Sequence, residues 1–135
     1  TVRIVRGAQA GEFDGPLTSV GFKVTSKSDR MGVRLIGPEM VRRDARELIS
    51  ATVAPGTVQV PPDGQPIVLM ADAQTIGGYP QIAHVISVDL PLVAQLKPGD
   101  TLRFREVTLQ AAHQLILDRA RALALLREGL AQKMV

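Results

Sequence analysis

The 135-residue chain contains no cysteine, no tryptophan and no asparagine. Without cysteine there is no disulfide, no thiolate nucleophile and no Cys-ligated zinc, and the chain suits a reducing cytoplasm. Without asparagine there is no N-glycosylation sequon. Aromatic residues are scarce, being Phe13, Phe22, Phe104 and Tyr79 only. None stands beside the densest basic cluster, Arg42, Arg43 and Arg46, so a base-stacking surface is not expected. That cluster reads as a solvated face or a subunit contact. Charge of one sign is also lacking: 16 basic against 13 acidic residues leave +3, too little to announce nucleic acid. No apolar run approaches the roughly 20 residues of a membrane helix. Thr1 to Gly7 carries no basic head followed by a long apolar stretch, so no signal peptide is expected. There is no dinucleotide glycine fingerprint, no phosphate loop, no Gly-x-Ser-x-Gly elbow and no His-Glu-x-x-His, which sets aside nucleotide folds, standard serine hydrolases and zinc proteases.

What is present suits one folded domain over residues 1–135: 45% hydrophobic residues, 21% charged, 12 Gly and 9 Pro. Short apolar or alternating runs recur between Gly, Pro and Asp, which is a β rhythm. They predict strands at Val2–Arg6, Gly21–Thr25, Gly32–Ile36, Thr57–Val60, Ile67–Ala71, Ile82–Asp89 and Thr101–Val107, a number that suits a closed or nearly closed barrel better than an open sheet. Pro61-Pro62-Asp63-Gly64 predicts a hairpin between the fourth and fifth, and Lys97-Pro98-Gly99-Asp100 a type II turn before the last. Val41, Ala45 and Leu48 fall at helical spacing behind Pro38, so Glu39–Ser50 is read as a helix, with a strand entering at Glu47 as the alternative. Leu90–Leu96 is expected to be a short helix capped by Asp89, with Pro91 in its first turn. From Thr108 as cap, residues 108–133 read as a C-terminal helix with the apolar stripe Leu109, Ala112, Ile116, Ala120, Leu123, Leu126 and Leu130. Its first half is expected to pack on the barrel, and its end past Arg127 to fray or meet another chain.

Few residues carry chemistry. His84 alternates with Ile82, Ile86 and Val88, so a satisfied barrel histidine competes with a base; His113 is structural or exposed. No metal site is expected. The densest polar stretch is Asp72-Ala73-Gln74-Thr75-Ile76-Gly77-Gly78-Tyr79-Pro80. Its two glycines let backbone N–H groups approach a ligand, Asp72 and Gln74 offer an acceptor and an amide, and Tyr79 a phenol. The bland reading is a wide loop between strands. Ser28-Asp29-Arg30-Met31-Gly32 sets opposite charges side by side, against the alternative of a turn in which Asp29 bonds its own backbone. Gln65, after the Pro-Pro-Asp-Gly turn, can both donate to and accept from an amide.

These stretches, with Val58-Gln59-Val60 leading into the hairpin turn and Lys97-Pro98-Gly99-Asp100 closing the series, resemble the allophanate hydrolase subunit 2 or KipA family. That family is also described as biotin-dependent carboxyltransferase-like and as a 5-oxoprolinase subunit. The likeness runs from about Arg3 to about Leu115 and departs from the family pattern at Ile76, where Thr is common. It implies a cyclophilin-like β-barrel with a short helix and a C-terminal α-helix, corresponding to the second of two such halves in longer members.

The resemblance implies a cytoplasmic component of a multi-subunit enzyme acting on small amides, as an ATP-dependent 5-oxoprolinase or as a biotin-dependent carboxyltransferase of the urea amidolyase type. The implied catalytic residues are Asp72, Tyr79 and Arg30, and the implied substrate-binding residues Asp29, Gln65, Gln74, Thr75, Gly77 and Gly78. Donors from Arg30, Tyr79 and the Gly77 and Gly78 amides would meet developing oxyanion charge, while Asp72 would accept a proton or orient nitrogen. No cofactor is expected to be bound covalently, since Lys133-Met134 matches a biotin site only in part; ATP or carboxybiotin would come from the full complex. The implied partners are a protein of the KipI or allophanate hydrolase subunit 1 type and the other family half. A non-catalytic module of a kinase-regulating complex is the alternative, and prolyl isomerisation a weaker one resting on fold analogy.

Overall fold

The computed structural model describes residues 1–15, 17–29, 31–43, 54–71 and 79–133. Seven strands among them close into a barrel: β1 (Val2–Arg6), β3 (Gly21–Val24), β4 (Gly32–Ile36), β6 (Thr57–Gln59), β7 (Ile67–Leu69), β8 (Gln81–Val85) and β9 (Thr101–Glu106). Two short strands, β2 (Phe13–Asp14) and β5 (Val41–Arg42), pair beside it. The order around the barrel is β1-β8-β6-β7-β4-β3-β9. Every neighbouring pair is antiparallel except β1 with β9, where Val2 faces Phe104 and Ile4 faces Glu106. Directions cannot alternate around a ring of seven, so closure requires one parallel pair, and this is it.

Alternate positions of each strand fill the interior. Ile4 opposes Val85, Val58 opposes both Ala83 and Val68, and Val68 opposes Val33, all within one buried cluster. Phe22 and Phe104 meet edge to face at 6.0 Å between centroids and plug the β3–β9 side. The two predicted turns form as expected. Gly64 takes φ +76° and its N–H bonds the Pro61 carbonyl, placing Val58 opposite Val68. Gly99 takes φ +92°, and Asp100 N–H closes on the Lys97 carbonyl at 3.0 Å.

Three expectations are corrected. The strand predicted through Asp89 ends at Val85; the chain turns through a 3-10 helix at Ser87–Asp89 into α1 (Leu90–Ala94). The Asp89 carboxylate is the reason. Instead of capping α1, it accepts the Arg3 backbone N–H at 2.8 Å and the Arg3 guanidinium through Nε at 2.9 Å and Nη2 at 2.7 Å. Helix does not form over Glu39–Arg43, because Met40 N–H bonds the Gly64 carbonyl and Arg43 N–H the Glu12 carbonyl, and Val41–Arg42 joins Phe13–Asp14 as strand. Residues 44–50 of that prediction lie outside the described residues.

The C-terminal helix, α2 (Leu109–Lys133), starts where Thr108 Oγ1 accepts Ala111 N–H at 3.0 Å. Its contact with the barrel is narrower than the stripe suggests. Ala112 is buried and Leu115 half-buried, whereas Leu109, Ile116, Leu123 and Leu126 are exposed. The face presented to the 3-10 turn is set by the exit of β9, where Val107 N–H bonds the Ile4 carbonyl, and not by the most apolar side of the helix.

The Arg3–Asp89 fork ties α1 to β1, with the Asp89 side chain 4% exposed. Hydrogen bonds from Arg3 hold the Asp89 carboxyl below its ordinary value of 3.8. A depressed carboxyl stabilises the fold above the unfolded-state value and loses that contribution as pH falls through the folded one. Asp89→Asn is expected to destabilise by about 3 kcal/mol, at the lower end for one-sided loss of a buried pair because Arg3 is partly exposed. Urea melts should show that deficit at neutral pH and its disappearance on acidification below the ordinary carboxyl range; an unchanged neutral midpoint refutes it.

Candidate functional site

The barrel has two ends, and strand direction decides what reaches each. β7 and β8 are both antiparallel to β6, so they run the same way. Met70, at the end of β7, and Pro80, before β8, therefore lie at opposite ends of the barrel. Ala71, just before Asp72, is on the first end; Tyr79 is on the second.

At the first end a cavity of about 500 Å³ is lined by Ser28, Asp29, Val33, Met70, Ala71 and the α1 side of the barrel, Val93, Ala94 and Leu96. Asp29 is engaged in its own turn. Its Oδ1 accepts Met31 N–H at 2.8 Å and Gly32 N–H at 3.3 Å, the local bonding that short acidic side chains favour in turns. Ser28 is similarly occupied, its Oγ accepting Arg34 N–H at 2.9 Å.

At the second end a cavity of about 430 Å³ is lined by Phe13, Glu39, Met40, Val41, Arg42, Val60, Pro61, Pro62, Tyr79 and Pro80. Its walls are largely apolar. The half-buried Tyr79 brings a phenol and Arg42 a guanidinium. Arg42 Nη2 donates to Glu12 Oε1 at 3.3 Å, while its Nε is buried and has no acceptor among the described residues. The floor depends on Gly64: its carbonyl holds Met40 N–H, and a Cβ there would lie 2.4 Å from Glu39 Cγ and 2.9 Å from the Met40 carbonyl oxygen.

Asp29 and Tyr79 are therefore not brought together. Gln65 sits near the second end but outside this cavity, its Oε1 taken by Gly37 N–H at 2.8 Å. Arg30, Asp72, Gln74, Thr75, Gly77 and Gly78 lie outside the described residues. His84 projects away from its core neighbours Ala83 and Val85, half-buried on the outer face. There its Nδ1 lies 3.3 Å from Thr57 Oγ1, and burial lowers its pKa. Gln59 Oε1, on the same strand as Thr57, is buried without a donor among the described residues. His113 is exposed on α2.

Arg42 lines the Tyr79 cavity, a position the sequence reading did not give it, having grouped it with Arg43 and Arg46 as a solvated face or a subunit contact. Only Arg43 behaves so among the described members, pairing with Asp14 at 3.2 Å with more than half its side chain exposed. The pairing of β2 with β5 turns Arg42 the other way, leaving its side chain 19% exposed. Alternation along so short a strand offers no sequence signal. No group of three His, Asp or Glu side chains among the described residues is placed to hold a metal, and no described helix is long and apolar enough to cross a membrane.

The domain is a closed, mainly antiparallel barrel with a cavity at each end. The chain belongs to the carboxyltransferase domain family, subdomain A and B, which residues 1–106 match. It is 52% identical over 94 residues to a 5-oxoprolinase subunit of Haemophilus influenzae, covering 70% of this chain and 30% of that one. With the corresponding 5-oxoprolinase subunit of Escherichia coli it shares 41% over 124 residues, covering 89% and 40%. The chain thus spans less than half the length of these relatives. Among solved structures, the K. lactis urea amidolyase superposes with a TM-score of 0.81 at 24% identity, over 90% of this chain and 8% of that one. The protein TTHA0988 superposes with 0.67 at 42%, over 77% and 21%.

Gly64→Ala forces a side chain into left-handed backbone against Met40, and should lower stability by about 1–2 kcal/mol. Ligand binding at the Tyr79 cavity should weaken with it, whereas a midpoint within error of wild type excludes this role for the turn. His84, held neutral by burial, stabilises above the unfolded value near 6.5, and that contribution is lost as pH falls through its lower folded value. His84→Gln should flatten the stability profile between neutrality and mild acid; an unaltered profile shows that His84 titrates freely.

Proposed function

We propose that the chain is a component of a multi-subunit enzyme that processes small amides, and that the amide is a lactam of the 5-oxoproline type. The 52% identity with a 5-oxoprolinase subunit carries the choice of substrate. Likeness to the K. lactis urea amidolyase at 24% identity speaks for the fold alone. The geometry supports the Tyr79 cavity as the amide site, because it combines apolar walls with a phenol and a guanidinium.

Opening an amide puts negative charge on its carbonyl oxygen. In this reading the Tyr79 hydroxyl donates to that oxygen, with the Gly77 and Gly78 amides and Thr75, close before it in the chain, as further donors. Asp72 is the proposed acceptor, and Arg30, Asp29 and Gln74 are the remaining polar groups of the same reading. Gln65 acts indirectly, by fixing Gly37. ATP supplies the driving force of lactam opening when the assembled enzyme binds it. Among the described residues the two cavities carry one cation, Arg42, and the sequence has no phosphate loop, a poor fit to a triphosphate. Nucleotide binding is therefore assigned to partner subunits, of the KipI or allophanate hydrolase subunit 1 type, in a cytoplasmic complex. Carboxybiotin would enter only if the substrate were urea.

The test is ATP-dependent turnover of 5-oxoproline by the assembled enzyme carrying Tyr79→Phe. Loss of one oxyanion donor is expected to lower kcat by about 10²–10³-fold with KM changed little. Turnover within twofold of wild type would remove Tyr79 from the chemistry, and no turnover by the intact wild-type complex would remove the lactam.

A further inference from the structure

We propose that the outer face of β9, β3 and β4 is the docking surface for a companion subunit of the assembled enzyme, one that presents carboxylates around an apolar side chain. That the partner is a companion subunit rests on the multi-subunit reading above; the chemistry asked of it rests on the face alone.

Strand alternation turns Phe22, Val24, Val33, Leu35, Leu102 and Phe104 inward and leaves Lys23, Arg34, Arg103 and Arg105 exposed on the other side. Lys27 follows in the turn after β3. Between described residues, ion pairs are made by Arg3, Arg6, Arg42 and Arg43, and by none of the cations of this face. Those cations outnumber the formal excess of +3 for the whole chain, so positive charge is gathered here and not spread. Strand pairing draws it together. Lys23 stands opposite Thr101 on one side and Ile36 on the other. Arg103 stands opposite Gly21, and its guanidinium crosses β3 at 3.6 Å from the place a Cβ would take. The described acids at the margins are engaged elsewhere: Asp100 Oδ2 accepts Lys97 N–H at 2.8 Å, Asp63 Oδ1 accepts Gln65 N–H at 3.0 Å, and Glu106 faces Arg6 at 3.9 Å. Like charges gathered on one face repel, and carboxylates from a partner relieve that repulsion.

An apolar centre and a groove set the partner's class. Among the described residues, Ile36 is the one large apolar side chain at an outward position of these strands, and it is 56% exposed. Beside it lies a groove of about 280 Å³ lined by Lys27, Arg34, Ile36, Asp63, Gln65 and Ile67. An aliphatic anchor rimmed by arginine suits a protein interface. Single-stranded nucleic acid stacks on aromatic side chains, and Phe22 and Phe104 of these strands are inside the barrel. Asp63 in the groove would also repel phosphates. A lipid surface takes up a broader apolar face than one isoleucine.

The experiment follows association of the intact protein with its companion subunit by surface plasmon resonance, at about 50 and about 300 mM salt. Wild type should associate about 10-fold faster at the lower salt, as opposed charged surfaces do. Lys23→Glu with Arg103→Glu should slow association about 10-fold at low salt and flatten the salt dependence. Ile36→Ser should speed dissociation about 10-fold and leave the salt dependence in place, which separates the anchor from the charges. Arg119→Glu with Arg121→Glu makes the same change of net charge on α2 and should leave association near wild type. All these side chains are exposed, so the core is not disturbed. The proposal is overturned if the face variants associate as wild type does, if the α2 pair slows association as much as the face pair, if salt has no effect, or if wild type does not bind the companion. Binding of homopolymeric RNA or phosphatidylserine vesicles that depends on Lys23 and Arg103, with the companion indifferent to both, also overturns it. Turnover is scored separately: a companion that docks in this way without turnover of 5-oxoproline unseats lactam opening and keeps the interface, whereas turnover by enzyme that assembles as readily from the face variants does the reverse.

Discussion

Strand β6 pairs antiparallel with β7 on one side and β8 on the other, and the placement of polar groups follows from that arrangement. Two strands flanking a third in this way must be parallel to each other, so the chain between them cannot be a hairpin turn. Its described ends lie at opposite ends of the barrel. A polar stretch that looks like one loop in the sequence is thereby anchored at Ala71 beside one cavity and at Tyr79 beside the other. The same rule of direction explains the parallel closure of β1 on β9, since seven strands admit no fully alternating ring.

Closure with a parallel pair has a structural cost at the first end. The chain leaving β8 must turn away from β1 before α1 begins, and Asp89 performs this by gripping both the backbone and the side chain of Arg3. A carboxylate that would otherwise cap a five-residue helix is used across 86 positions of sequence. Sequence patterns assign Asp89 to the helix because capping is local and a cross-barrel ion pair is not.

This difference between local and distant causes separates what was legible from what was not. The barrel strands and both turns are written in alternation, in Gly64 and in Gly99, all of which act within a few residues. Helical spacing over Glu39–Arg43 is equally local, yet it is overridden, because the carbonyls of Gly64 and Glu12 come from other parts of the chain and take the N–H groups a helix would use. The C-terminal helix was readable in extent and cap, but its buried side was not: the exit geometry of β9 turns Ala112 inward and leaves Leu109 and Ile116 outside. Tyr79 was singled out from its glycine-rich setting, and it lines the second cavity. Arg42 was not, since its orientation comes from a two-residue pairing with Phe13–Asp14.

Arg3 and Arg42 are the same residue type in opposite states of satisfaction. Arg3 is matched at two points by a carboxylate that is itself nearly sealed from solvent, and that fork holds the wall of the first cavity. Arg42 is matched weakly at one point and sealed on another, beside a cavity that contains a phenol. A guanidinium stays protonated at any physiological pH, so an unanswered buried N–H is a standing cost at Arg42, whereas the Arg3 fork offsets its own desolvation. Arg3 therefore stabilises the fold, and Arg42 draws on stability supplied elsewhere in the barrel.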